Sequence, residues 1–256
     1  MSNYSKELKV AINAAKEAGK IQSKYFRGSF KTYRKSDKTP VTIVDKQSER
    51  KIVSVIKQVF PEHNFLGEEF SYKKTHSKYT WIIDPIDGTK NFVRGMPFFG
   101  SCIGLEINGE IVVGVINMPA MNLLAFASKG NGAFVNNRRV SVSTINAIEK
   151  SFVVFGDVDS YYEAGYGNQF FELLKRCDGK RGYGDTIGYI LLAQGHADIM
   201  IDTPSAWDIA AAKIIVEEAG GKLTDFEGEN TIYSGHSIAT NGRLHDKVIN
   251  LFKKKL

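Results

Sequence analysis

An α/β fold of stacked helix and sheet layers is predicted by three features of this 256-residue chain. Two helical periodicities open it, strand-like runs joined by a tight hairpin follow, and the second half mixes short strands with helices. The composition agrees: 43% hydrophobic and 11% aromatic residues fill one substantial core, in a chain long for one domain and short for two.

Taken in order, residues 3–26 carry Leu8, Ile12, Ala15, Ile21 and Tyr25 at helical spacing, and residues 44–59 repeat the pattern with Val44, Ile52, Val55, Ile56 and Val59. Strand-like runs follow at 80–84, 98–107, 110–117 and 123–128. Asn108 and Gly109 mark a tight hairpin between the second and third, so this part reads as an antiparallel sheet. Beyond it, FVVFG at 152–156 and ADIMID at 197–202 read as short strands among helices near 160–176, 185–194, 207–219 and 243–254. Gly220 and Gly221 end the 207–219 helix through a left-handed cap. No repeat or low-complexity linker divides the chain, so residues 1–256 are expected to form one catalytic unit, with halves of approximately 1–145 and 146–256.

Charge and cysteine usage exclude several classes. The net charge of +6 is spread along the chain, and its densest run, the terminal FKKKL, reads as a solvated helix end, so no nucleic-acid partner is expected. Cys102 lies in an apolar run and Cys177 follows a helical stretch; without C-x-x-C they make neither a disulfide framework nor a zinc pattern, which fits a reducing cytoplasm. No apolar signal core opens the chain, and no stretch approaches the roughly 18 apolar residues of a spanning helix. A soluble cytoplasmic protein without membrane contact is expected.

The acidic residues carry the chemistry. WIIDPIDGTKNF at 81–92 sets Asp84 and Asp87 on either side of a proline. Trp81, Ile82 and Ile83 read as the end of a buried strand, and Pro85 disfavours the α conformation at Asp84, so the chain must turn at the carboxylates. Asp87 then stands where a helix N-cap would, with the N–H groups of Gly88 and Thr89 and a hydroxyl beside it. FLGEEF places Glu68 and Glu69 after a short apolar run, SAWDIAAAKIIVEEAGG places Asp208 at a helix start, and TPVTIVD places Asp45 at the head of the second helix. Singly, Asp45, Asp87 and Asp208 are explained as N-caps and Glu68 as a surface loop charge. Together they make the oxygen-rich donor set that suits Mg²⁺, without the His and Cys ligands of zinc sites. Trp81 and Trp207 read as an apolar wall packed behind these residues, and His196 and His245 as surface or core residues and not ligands.

WIIDPIDGTKNF resembles the first signature of the inositol monophosphatase superfamily of Mg²⁺-dependent phosphatases, and WDIAAAKIIVEEAGG resembles its second. Glu68 in GEE and Asp45 in TPVTIVD fall in the order that family requires, so the resemblance covers nearly the whole chain. It implies a layered αβαβα sandwich of the inositol monophosphatase and fructose bisphosphatase type. It also implies that Glu68, Asp84 and the carbonyl of Ile86 bind one Mg²⁺ while Asp84, Asp87 and Asp208 bind a second, with two or three ions per site. Divalent cations are what bring such a carboxylate cluster, with a phosphate dianion, close to neutral. In the implied mechanism Thr89 and Asp45, with Glu68, orient and deprotonate a water acidified by one Mg²⁺. That water attacks phosphorus in line, and the second ion stabilises the departing alkoxide. The N–H groups of Gly88 and Thr89 hold phosphate oxygens. A small-molecule phosphate ester and a second copy in a homodimer are the expected partners.

RGYGDTIGYILLAQGHADIMID at 181–202 resembles the histidinol-phosphatase branch in its GD step followed by GY, as do KSDKTPVTIVD and IATNGRLHD. Asp185 and Asp202 would favour the cationic amine and imidazole of histidinol phosphate over the neutral hydroxyls of inositol phosphate. Helix capping is the competing explanation for Asp185, and the stretch from Asp202 to Trp207 is a residue shorter than the family's, which bears against Asp202 reaching the pocket. The expected reaction is hydrolysis of histidinol phosphate to histidinol and phosphate. Inositol 1-phosphate, fructose 1,6-bisphosphate and a nucleotide 3′-phosphate are the alternatives. A non-catalytic metal or RNA-binding protein on the same scaffold is the alternative of another class, and the presence of Asp45 and Thr89 beside every ligand favours the enzyme.

Overall fold

The computed structural model describes residues 4–34 and 40–253. KSDKT at 35–39 and KKL at 254–256 lie outside the described residues. In chain order the elements are α1 (Ser5–Tyr25), β1 (Thr32–Arg34), β2 (Pro40–Thr42), α2 (Ile43–Lys57), β3 (Asn64–Gly67), β4 (Tyr79–Asp87) and α3 (Thr89–Val93). Then follow β5 (Gly100–Ile107), β6 (Glu110–Met118), β7 (Leu123–Ser128), β8 (Ala133–Val135), β9 (Arg138–Val140) and β10 (Phe152–Phe155). The remainder are α4 (Val158–Glu163), α5 (Gly167–Arg176), β11 (Gly179–Arg181), α6 (Asp185–Ala193), β12 (Ile199–Asp202), α7 (Ala206–Glu218), β13 (Lys222–Thr224), β14 (Ser237–Thr240) and α8 (His245–Phe252).

These stack as the expected α-β-α-β-α sandwich. Among the described residues the first sheet has seven strands in the order β3-β4-β5-β6-β7-β8-β9, antiparallel except for β3 beside β4. The second has five, ordered β11-β10-β12-β14-β13. Strand alternation distributes side chains between layers. Trp81 and Ile83 of β4 face α1 and α2, whereas Ile82 faces α6 and α7 between the sheets. Likewise Met200 of β12 faces inward, and Ile199 and Ile201 face the outer layer of α4, α5 and α8.

Helix α1 buries Ala11, Ala14, Ala15 and Ala18, a stripe of small side chains at i, i+3, i+4 and i+7 that lets its backbone lie close on the first sheet. Helix α7 is covered on both sides, and Gly104 of β5 makes room for it: a Cβ there would stand 2.7 Å from that of Ala210. Its one buried cation, Lys213, is satisfied by Glu217, Asn230 and the carbonyl of Leu223, so the layer carries no uncompensated charge at that point. Gly220, at φ +93°, ends α7 in a Schellman motif, with Gly221 N–H bonded to the Val216 carbonyl and Gly220 N–H to that of Glu217.

Three readings need correction. The helix expected over 160–176 is two helices, broken where Gly165 adopts φ +79°. The short strands β3, β8, β9, β11, β13 and β14 lack a readable alternation because each spans only three or four residues. The chain also does not leave strand conformation at Asp84; it continues through Pro85 to Asp87. His245 is a core residue as expected, hydrogen-bonded by Thr224 and Thr240, and burial pushes its imidazole down to about 4.

Candidate active site

The site begins with a β-bulge. From Asp84 to Asp87, β4 advances three residues while its partner β5 advances two, from Cys102 to Gly100. In a regular strand, residues three apart face opposite sides; the extra residue at Pro85-Ile86 brings both carboxylates to one side. Proline is tolerated there because a bulge asks no ladder hydrogen bond of it. The turn is tied down by Gln22 of α1, whose Nε2 donates to the Pro85 carbonyl and to Ser101 Oγ, each at 2.8 Å. After the bulge the cap of α3 is Gly88 and not Asp87. Gly88 sits at φ +81°, and a Cβ on it would lie 2.5 Å from the Phe98 carbonyl oxygen.

Two capping boxes supply further carboxylates. At the start of α2 Thr42 is the N-cap and Asp45 the third residue, its Oδ2 accepting from Thr42 N at 2.8 Å and from the Thr42 hydroxyl at 2.5 Å. At the start of α7 Ser205 is the N-cap, and Asp208 Oδ2 accepts from its N–H at 2.7 Å. Asp45 and Asp208 are therefore not the caps themselves, and each keeps one oxygen turned outward from its box. Asp45 Oδ1 accepts from the Thr89 hydroxyl at 3.0 Å, and the same hydroxyl lies 2.9 Å from the Ile86 carbonyl.

Ligand atoms of Asp84, Asp87 and Asp208 lie within 4.8 Å of one another. Glu68, following β3, lines the same cavity and raises the carboxyls of Asp84 and Asp208 by its charge. Burial, reinforced by the charges of Glu68, Asp208 and Asp87, pushes Asp84 well above the usual carboxylate range. Asp87 is raised by burial and by Asp185 and Asp208, and Asp208 is pushed up to about 7, chiefly by burial. Asp45 is also raised by burial, against the hydrogen bonds of Thr42 and Thr89. A divalent cation reverses this energetic conflict, and a close set of hard carboxylate oxygens without imidazole or thiolate fits Mg²⁺.

The cavity measures about 860 Å³ and receives Glu68, Asp84, Ile86, Asp87, Gly88, Thr89, Asp185 and Asp208. Its lining also includes the aromatic and acidic side chains of Phe98, Phe155, Tyr183, Trp207, Asp157 and Asp185. Trp207 thus belongs to the cavity wall, whereas Trp81 is wholly buried and donates from Nε1 to His63. Asp185 does not cap α6. It stands at φ +55°, its Oδ2 accepting from Asn91 Nδ2 at 2.8 Å, and burial raises its carboxyl. Asp202 is not brought into the cavity: its Oδ1 accepts from Thr203 N and packs against Gly156, and burial pushes its carboxyl up to about 8.

Sequence reasoning passed over Glu49. It is fully buried on α2 and accepts from Glu69 N at 2.8 Å, Phe70 N at 3.1 Å and the Tyr72 hydroxyl at 2.9 Å, fixing the turn that carries Glu68. A carboxylate at a helix position that reads as ordinary amphipathic surface gives no signal of this; only the packing of β3 against α2 does.

The family model described as inositol monophosphatase family matches residues 3–256. Over 236 residues the chain is 39% identical to a histidinol-phosphatase of Chlorobaculum parvum, covering 91% of each chain. It is 38% identical over 215 residues to a fructose-1,6-bisphosphatase/inositol-1-monophosphatase of Thermotoga maritima, covering 82% of this chain and 81% of that one. The crystal structure of extragenic suppressor protein suhB from Bartonella henselae superposes with a TM-score of 0.91 at 31% identity, over 98% of this chain and 100% of that one.

Proposed function

The chain belongs to the inositol monophosphatase family, and from that premise we propose that it is a Mg²⁺-dependent phosphomonoesterase whose substrate is histidinol phosphate. The observation that carries the hydrolytic reading is the Thr89–Asp45 pair, a hydroxyl on the wall of the cavity that holds the acidic trio and a buried carboxylate 3.0 Å behind it. A protein that only bound a cation would have no use for it.

Asp84, Asp87, Asp208, Glu68 and the Ile86 carbonyl would hold Mg²⁺, which when bound supplies positive charge against phosphate oxygens and acidifies nearby water. The chain's own groups do the rest. A hydroxyl has one proton and two lone pairs, so Thr89, donating to Asp45, can accept from a water and hold it for in-line attack. As the water oxygen bonds to phosphorus and its proton passes to Thr89, the Thr89 proton passes to Asp45, whose burial makes it a better acceptor than an exposed carboxylate; the ester P–O bond opposite breaks, and the departing alkoxide takes its proton from solvent. The N–H groups of Gly88 and Thr89, at the start of α3 on the cavity wall, would face phosphate oxygens.

For the alcohol end, the support is the aromatic and acidic part of the lining. Asp157 and Asp185 stand with Phe98, Phe155 and Tyr183, and the one cation lining the described cavity, Lys90, lies 3.7 Å from Asp157. Acidic groups and aromatic faces attract a cationic ring or amine and repel a second phosphate. Measurement of kcat/KM on histidinol phosphate, inositol 1-phosphate and fructose 1,6-bisphosphate tests this. Histidinol phosphate should lead, and Asp185→Asn should lower its kcat/KM selectively, about tenfold to a hundredfold. Asn keeps both the left-handed conformation and an acceptor for Asn91. Equal losses on all esters would remove the specificity role, and no turnover of histidinol phosphate would remove the substrate.

A further inference from the structure

A single residue of α6 holds Asp87 through one of its two carboxylate oxygens. Thr186, 1% exposed, donates both its N–H and its hydroxyl to Asp87 Oδ2. The N–H is available because first-turn donors of a helix have no partner within it. Cys102 Sγ of β5 lies 2.9 Å from the same hydroxyl oxygen. Since the Thr186 hydroxyl proton lies toward the carboxylate, the Cys102 S–H must be the donor to Thr186. Three buried groups from β5, α6 and β4 thus form one directed chain of hydrogen bonds ending on Oδ2. The chain approaches Thr186 through the left-handed turn at Asp185, held by Asn91.

We propose that Thr186 is a positioning residue for the cation: its two donors occupy Asp87 Oδ2 and hold the carboxylate so that Oδ1 is the oxygen offered to Mg²⁺, with the Cys102 thiol fixing the Thr186 hydroxyl. This rests on the reading of Asp87 as a ligand. Partners behind a metal ligand set its orientation, and their loss typically weakens metal binding about 10- to 100-fold.

The test is calorimetric titration of Mg²⁺ alone into the metal-free, full-length protein. Thr186→Val keeps the volume and the N–H but removes the hydroxyl, and should weaken Mg²⁺ binding about 10- to 100-fold. Thr186→Ser should restore it. The Mg²⁺ concentration for half-maximal phosphate release should rise in the same ratio, while KM for the ester at saturating Mg²⁺ stays near the parent's. If Thr186→Val does not fold, Thr186→Ala reads the same loss without a misplaced methyl. A merely structural role would lower the melting temperature in EDTA and leave Mg²⁺ affinity unchanged; that result, with Asp87→Asn losing affinity, overturns the proposal. Parent-like Mg²⁺ affinity in Asp87→Asn overturns the ligand reading instead.

Discussion

Asp208→Asn should stabilise the metal-free protein while weakening its response to Mg²⁺. Asp208 is pushed up to about 7 in the folded chain, by burial first and then by Glu68, from an ordinary value of 3.8. A carboxyl whose folded value is raised contributes stability only below its unfolded value, and that contribution is lost as pH rises through the folded one. Every tenfold gain in a carboxyl's proton affinity on folding corresponds to about 1.4 kcal/mol, so without metal the parent loses up to ~4 kcal/mol between about pH 4 and pH 7 from this group alone. Asp84 and Asp87 act with the same sign. Asparagine cannot ionise yet can accept from Ser205 N, so the α7 capping box survives. In EDTA at pH 8 the variant should melt higher than the parent, by roughly 10 °C at about 2–4 °C per kcal/mol. In saturating Mg²⁺ the order should reverse, because the parent gains more binding energy than a variant that has lost one of its ligands. Thermal unfolding at pH 5 and pH 8, with and without Mg²⁺, reads all of this. A variant that melts below the parent in EDTA at pH 8 would refute the claim that an unneutralised charge sits at Asp208.

Thr89→Val should lower kcat about 10²- to 10⁴-fold, while Thr89→Ser keeps most activity, in steady-state kinetics on any ester turned over. Equal losses in both would deny the hydroxyl its role. Gly67→Ala would drive a Cβ into Glu49 Oε1 and should cost about 1–3 kcal/mol in urea unfolding; an unchanged midpoint would contradict the packing of that turn. His245, held down to about 4 from 6.5, contributes stability above pH 6.5 that is lost as pH falls toward 4, about 3 kcal/mol in all. His245→Asn should remove that part of the acid response, seen by comparing urea unfolding at pH 7 and pH 4.5, and an identical acid response in both proteins would place the titration elsewhere.

Long periodic segments were legible because their signal accumulates over many residues. The 3–26 periodicity became Ser5–Tyr25, and Asn108-Gly109 became the β5–β6 turn, both residues at positive φ. The acidic residues of the site were legible as types at element boundaries, and Asp84, Asp87 and Asp208 do converge. What stayed hidden was how they converge. The bulge at Pro85-Ile86 depends on pairing with β5, which the 81–92 stretch does not contain, so a proline that reads as a strand terminator sits inside a strand. Thr42 and Ser205 took the N-cap positions assigned to Asp45 and Asp208 because a carboxylate can serve equally well three residues into a capping box. Gln22, Glu49, Thr186 and Cys102 act through partners 20 to 99 positions away in sequence, a separation no local pattern spans. Asp202 failed for the opposite reason: its type suited the substrate, but β12 delivers it against Gly156.

Whether a carboxylate-held cation and the Thr89–Asp45 pair hydrolyse a phosphate ester is decided by phosphate release from histidinol phosphate and a panel of small esters after exhaustive chelation, followed by Mg²⁺ restoration, in the parent and in Asp84→Asn. No release is expected in EDTA, with recovery on adding Mg²⁺ in the parent and no comparable recovery in Asp84→Asn at saturating Mg²⁺. Release that survives chelation, or an Asp84→Asn variant that keeps most of the parent's turnover, would contradict this.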